Sequence, residues 1–158
     1  MATYPGTSGN DTFTGTPGDD SFVLADDPQG EDLVEGGEGA DTLIASFAGS
    51  GAGEVFTSYL AGEDDAFLRG NLRGAGGNIA LHGIEALRVT FGDGDDTVQV
   101  DGPPLAPGVS LALDGGLGAN RLNITFAGTG DIAFLVAPGG AINASHGSYT
   151  RFQSFDLR

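Results

Sequence analysis

Apolar residues fall along this chain in short bursts separated by runs of glycine and aspartate. β-Branched and aromatic residues gather at Thr12 to Thr14, Ser21 to Leu24, Leu33 to Glu35, Thr42 to Phe47 and Thr97 to Val100, each just after a Gly/Asp-rich stretch. A short apolar run that follows a turn predicts a β-strand. The same reasoning predicts strands over Glu54 to Leu60, Ile79 to Leu81, Ile84 to Phe91, Val109 to Leu113, Leu122 to Phe126 and Ile132 to Val136. No helix is expected. The best helical candidate, Ala61 to Gly74, is interrupted by Gly70 and closed by Gly74, so a turn or irregular coil is predicted there. Pro103, Pro104 and Pro107 mark a loop.

The turns between these strands share a nine-residue phrase, G-x-x-G-x-D-x-(apolar)-x. It reads GTSGNDTFT from Gly6, GTPGDDSFV from Gly15, DPQGEDLVE from Asp27 and GGEGADTLI from Gly36. It returns as FGDGDDTVQ from Phe91 and, with Asn for Asp, as GGLGANRLN from Gly115. The position two after the acid holds Phe13, Phe22, Val34, Leu43, Val98 and Leu122, all apolar. That predicts an inward-pointing residue in each strand, with six residues of turn before it.

A longer period lies over the short one. Gly36 to Gly51 matches Gly115 to Gly130 at nine of sixteen positions. Gly18 to Leu24 parallels Gly94 to Val100, and Ile84 to Val89 resembles Phe152 to Leu157. The chain is therefore read as one solenoid domain over residues 1–158 with two internal units, about 18–93 and 94–158. In the first unit the last strand leads straight into another turn, so the pattern suits a longer array.

Composition narrows the chemistry. The 158 residues carry a formal net charge of -16, and all six basic residues are Arg. Such a surface repels phosphate backbones, which argues against nucleic-acid binding, and favours divalent cations. Cysteine is absent, which removes disulfides and thiolate metal sites. No apolar run approaches the ~20 residues of a membrane helix. The opening MATYPGTSGND has neither the basic nor the apolar region of a cleavable secretory signal. Although 29 residues are Gly, an apolar fraction of 39% and the regular glycine spacing argue for order.

Glycines in such a turn admit φ > 0 and let carbonyl oxygens converge, while the aspartate adds a hard anionic oxygen. Calcium takes six to eight oxygens in flexible geometry. The phrase, nearly complete in four copies between Gly6 and Ile44 and again at Phe91, resembles the RTX (haemolysin-type) calcium-binding repeats of bacterial secreted proteins. The resemblance implies an all-β, right-handed parallel β-roll or β-helix with about eighteen residues per coil. It implies Ca2+ as the cofactor, held between a turn and the turn two repeats later. It also implies type I secretion and an extracellular or cell-surface location.

Carried onto this chain, turn Gly6–Asp11 should stack on Asp27–Asp32, and turn Gly15–Asp20 on Gly36–Asp41. The implied side-chain ligands are Asp11, Asp20, Asp32, Asp41 and Asp96, and the implied carbonyl ligands are Gly9, Gly18, Gly30, Gly39 and Gly94. Four departures stand out. Leu24-Ala25-Asp26 is a three-residue insertion that threatens the stacking of the first two turns on the next two. Asp27-Pro28 replaces Gly-Gly, and Phe91 replaces a turn glycine. Asn120 replaces the ligand aspartate, which predicts a weak or missing metal site. Residues 45–90 lack the phrase and are expected to continue the solenoid as larger coils or to form an inserted lobe.

The other candidates have blander readings. Asp64-Asp65 and Asp26-Asp27 read as solvated loop charges. Glu85 and Asp114 could suggest a glycosidase pair, but any acidic solenoid offers such pairs. His82 and His146 lack partner motifs, and no nucleophile motif is present, so no enzyme is expected. The aromatics, Phe47 among them, are expected to fill rungs of the core rather than form a ligand platform. The leading expectation is a calcium-folded structural module of a secreted protein. The alternatives are an adhesin, surface-layer or polysaccharide-binding segment, or the scaffold of a larger secreted enzyme. Expected partners are calcium ions and, beyond them, the rest of a longer repeat protein, another copy, or a cell-surface glycan.

Overall fold

The computed structural model describes residues 1–24, 30–47, 55–61, 68–74, 77–102, 109–126, 134–136, 142–144, 147–150 and 154–157. Among them there are only strands and their turns, with no helix. In chain order the strands are β1 (Thr3–Pro5), β2 (Thr12–Thr14), β3 (Ser21–Leu24), β4 (Gly30–Glu35), β5 (Thr42–Ser46), β6 (Val55–Ala61), β7 (Leu68–Gly74) and β8 (Gly77–Ile84). They continue as β9 (Ala86–Thr90), β10 (Thr97–Gly102), β11 (Ser110–Asp114), β12 (Arg121–Phe126), β13 (Phe134–Val136), β14 (Ile142–Ala144), β15 (Gly147–Thr150) and β16 (Ser154–Leu157).

The strands form two eight-stranded sheets. The first runs β1-β3-β5-β9-β11-β15-β14-β13 and the second β2-β4-β8-β7-β6-β10-β12-β16. From β1 to β5 consecutive strands alternate between sheets, so each strand pairs in parallel with the next but one. A parallel pair normally needs a long crossover, commonly a helix. Here the crossover is a passage through the opposite sheet, which lets parallel strands follow one another with only a six-residue turn between them.

Alternating burial explains why two sheets form. In β3 Phe22 and Leu24 are buried, in β4 Val34, in β5 Leu43 and Ala45, and the same alternation holds in β9 and β11. Each strand thus has one apolar face, and the two apolar faces make a single core cluster that draws on both sheets. The apolar position of the repeat phrase is fully buried at Phe22, Val34, Leu43, Val98 and Leu122. Phe13 packs against the core from its edge, near Tyr4 and Phe22. Phe47 and Phe91 are core residues too, stacked with ring centres 6.5 Å apart.

The insertion at Leu24-Ala25-Asp26 does not break the stacking. Thr12 pairs with Leu33 and Ser21 with Thr42, so both pairs of turns stack as expected. The insertion lengthens the step from 18 residues, between Ala2 and Asp20, to 21 between Asp20 and Asp41. The prolines 103, 104 and 107, with Asp26, Asp27, Asp64, Asp65 and His146, lie outside the described residues.

Among the described residues of 45–90, one stretch departs from the alternation of the first strands. β6, β7 and β8 form an antiparallel meander within the second sheet, with β8 joined in parallel to β4 and β6 to β10. β7 covers the part of Ala61 to Gly74 that had been expected to be irregular. A second meander, β13-β14-β15, lies in the first sheet. Equivalent strands of the two sequence units therefore lie in opposite sheets: β3, β5 and β9 of the first unit belong to the first sheet, while their counterparts β10, β12 and β16 belong to the second. The chain changes sheet five times between β3 and β10, so the second unit starts in the opposite sheet and each sheet receives one meander.

Candidate metal-binding turns

Asp11, Asp20, Asp41 and Asp96 each sit directly before a strand, whereas Asp32 lies inside β4. In Asp20, Asp32, Asp41 and Asn120 one side-chain oxygen has the same kind of partner, the N–H of the residue at the equivalent position in the preceding paired segment. Asp11 N–H donates to Asp32 Oδ1 at 2.9 Å and Asp20 N–H to Asp41 Oδ1 at 2.8 Å. Asp96 N–H donates to Asn120 Oδ1 at 2.9 Å, and Ala2 N–H to Asp20 Oδ1 at 2.7 Å. The residue just before the acid does the same job in the other direction. Asp19 Oδ1 accepts from Ala40 N–H at 3.0 Å, and Asp95 Oδ1 from Ala119 N–H at 2.7 Å. Turn amides that the sheets cannot reach are thus satisfied by side chains, as buried donors must be.

The second oxygen separates the turns into kinds. In the threonine turns it is satisfied locally. Asp11 Oδ2 accepts from Thr7 N–H at 2.6 Å and Thr7 Oγ1, and Asp20 Oδ2 accepts from Thr16 N–H at 2.6 Å and Thr16 Oγ1 at 2.8 Å. These donors, Thr16 N–H first and then Ala2 N–H, hold the Asp20 carboxyl below its ordinary 3.8.

In the Gly36–Asp41 turn the second position is Gly37, at φ +99°. Asp41 Oδ2 is buried there and has no hydrogen-bond partner, and the same is true of Asp32 Oδ2. Both aspartates are almost wholly excluded from solvent, at 0% and 3% exposure. Burial raises both carboxyls above the ordinary value, helped by the charges of Asp11 and Glu31 beside Asp32 and of Asp20 and Asp19 beside Asp41. A buried charged oxygen without a donor costs a few kcal/mol or more. The surroundings offer further oxygens rather than donors. A Cβ built on Gly36 would lie 2.6 Å from Asp41 Oδ2 and 1.8 Å from the Gly83 carbonyl oxygen, so these two oxygens flank the same glycine.

Glu85 extends this row and was not among the expected ligands. Its Oε2 accepts from Asp41 N–H at 2.6 Å, the place an aspartate takes in the other coils. Burial first, and then the Asp41 charge, raises its carboxyl above the ordinary 4.5. The sequence does carry a signal: Glu85 precedes buried Leu87 by two residues, as Asp41 precedes Leu43, and follows Gly83 at φ +68°. Only Glu85 itself separates β8 from β9, so no turn phrase precedes it. Asp114 Oδ1 accepts from Gly116 N–H at 3.2 Å within its own turn.

The implied carbonyl ligands are distributed differently from the acids. The Gly18 and Gly94 carbonyls face the stacked glycines Gly39 and Gly118 of the next coil. Gly30 opens β4 with its Cα against Asn10 Oδ1, and Gly9 is exposed. Asp96 is buried directly before β10. Among the described residues no three His, Cys, Asp or Glu side chains converge as a metal cluster. A cation at these turns would therefore draw on one or two carboxylates and on backbone oxygens, a donor set that suits a hard cation such as calcium and not zinc.

No helix of the described residues is long and apolar enough to cross a membrane. No protein-family model matches the chain, and no curated protein or solved structure matches it.

Proposed function

We propose that this chain is a calcium-folded structural module, a β-roll of the RTX kind, working outside a bacterial cell. The observation that carries this reading is that Asp32 Oδ2 and Asp41 Oδ2 are buried without a hydrogen-bond donor. A hard divalent cation supplies what they lack, and Glu85 and the Gly83 carbonyl stand beside Asp41 to share it. Without calcium the turns hold unpaired negative charge, on a chain of net charge -16. With calcium, binding energy becomes folding energy. A chain of this kind stays loosely folded where calcium is scarce, as inside a cell, and sets after export.

The test is a far-UV circular dichroism titration with calcium from chelated protein, with magnesium as control. A cooperative gain of β-structure with calcium alone is expected. Asp32→Ala with Asp41→Ala should shift the midpoint to higher calcium. A calcium-insensitive spectrum together with a metal-free protein would remove the proposal.

A further inference from the structure

We infer that the side-chain amide of Asn120 closes its turn in place of a cation, so that the coil from Gly115 into β12 is built to fold without metal. The inference rests on the cation reading of Asp41 and deepens it.

The turns Gly36–Asp41 and Gly115–Asn120 are near copies. Both have a positive-φ glycine at the second position (Gly37 +99°, Gly116 +72°) and at the fourth (Gly39 +128°, Gly118 +83°). Both end in a buried residue whose Oδ1 accepts the N–H of the residue one coil earlier. That shared bond fixes which way the Asn120 amide faces, because its other end must be Nδ2. Nδ2 donates to the Gly115 carbonyl at 2.6 Å and to the Leu117 carbonyl at 2.7 Å. Two N–H groups thus meet two carbonyls, and the turn is complete within itself.

An aspartate in the same pose would put an anionic oxygen against those two carbonyl oxygens with no hydrogen among the three. At Asp41 the corresponding oxygen is the one without a partner. The amide does with two hydrogens what a cation does with its charge, and it leaves no net charge behind. The third turn position changes in the same direction, from Glu38 to Leu117, which is 60% exposed and lies outside the core. This turn has therefore lost both carboxylates of its counterpart. Calcium dependence is concentrated in turns that keep the aspartate, such as those of Asp32 and Asp41.

Three single variants of the full chain test this, by thermal melting in chelator and in calcium and by calcium bound per chain at equilibrium dialysis. Asn120→Asp should melt several degrees lower in chelator, recover in calcium and bind one more calcium than the parent. Asn120→Ala should melt lower in chelator and gain nothing extra from calcium. Asp41→Asn should melt higher in chelator and bind one calcium fewer. The inference is overturned if Asn120→Asp melts like the parent in chelator, or if calcium fails to restore it while the parent still binds calcium. A parent that binds no calcium would remove the cation reading itself. In that case equal melting of Asn120→Asp and the parent would separately show that the amide closes nothing.

Discussion

Asp20 and Asp41 occupy equivalent positions one coil apart, yet their carboxyls move in opposite directions. Thr16 makes the difference: its N–H and hydroxyl hold the second oxygen of Asp20, whereas the Gly37 backbone turns away from Asp41. This opposition predicts the pH response of calcium-free protein. Asp32, Asp41 and Glu85 have folded-state pKa values above their unfolded ones. Their protonation favours the fold, so stability should rise as pH falls from neutral through those raised values. Asp20 is displaced the other way, and its contribution should be lost as pH falls below the ordinary 3.8. Melting temperature in chelator should therefore pass through a maximum on the acid side of neutrality. In saturating calcium the neutral-to-acid rise should vanish, because the cation already compensates the same oxygens. A flat chelated profile between pH 7 and 4 would contradict the burial of these carboxylates.

At the scale of the element, the turn is a tighter constraint than the strand. A strand here needs only an apolar residue on alternate positions, and Phe, Val and Leu interchange at the buried site of the phrase. The turns stack backbone on backbone. A Cβ on Gly36 would lie 1.8 Å from the Gly83 carbonyl oxygen, and one on Gly15 would lie 1.8 Å from the Gly36 carbonyl oxygen. These neighbours are main chain and cannot swing aside, so a side chain would push adjacent coils apart. Gly36→Ala should cost roughly 2–4 kcal/mol, the range of severe overpacking and backbone effects. Urea unfolding of the calcium-loaded protein measures this, and a loss below about 0.5 kcal/mol would mean that the coils separate easily at that turn. The meander β6-β7-β8 shows the opposite freedom. Where the turn phrase is missing, the chain runs antiparallel for one strand and then rejoins the parallel stack at β8.

For the whole molecule, charge and topology work against each other. Two sheets share one core, while the turn edges gather acids on a chain of net charge -16. Self-repulsion between acids separated by about a Debye length is screened by salt, whereas a cation held by buried oxygens is screened far less. Chelated protein should accordingly gain melting temperature between 20 mM and 500 mM potassium chloride, and calcium-loaded protein should gain much less. Equal gains in both states would mean that the repulsion lies away from the calcium-responsive turns. The inverted placement of the two units has a mechanical side as well. One meander adds strands to each sheet, so both sheets are extended alike, to eight strands.

The phrase on its own was enough to place the early strands, their inward residues and the all-β class, while the stacking of Asp11 under Asp32 and Asp20 under Asp41 was implied by the family resemblance. The strands, their faces and the class follow from local chemistry, because glycine and aspartate specify a turn and alternation specifies a face. The consequences of distance had to come from the tertiary structure. The insertion after Val23 looks disruptive along the chain, but β2 still pairs with β4 and β3 with β5, because register is set by pairing across strands and not by counting. Glu85 lies 44 residues from Asp41 in sequence, with a meander between them, so only the fold reveals it as the next acid in the row. The same holds for the second oxygen of each aspartate. The sequence shows six similar turns, whereas packing decides which carboxylate finds a threonine, which is replaced by an amide, and which is buried facing only other oxygens.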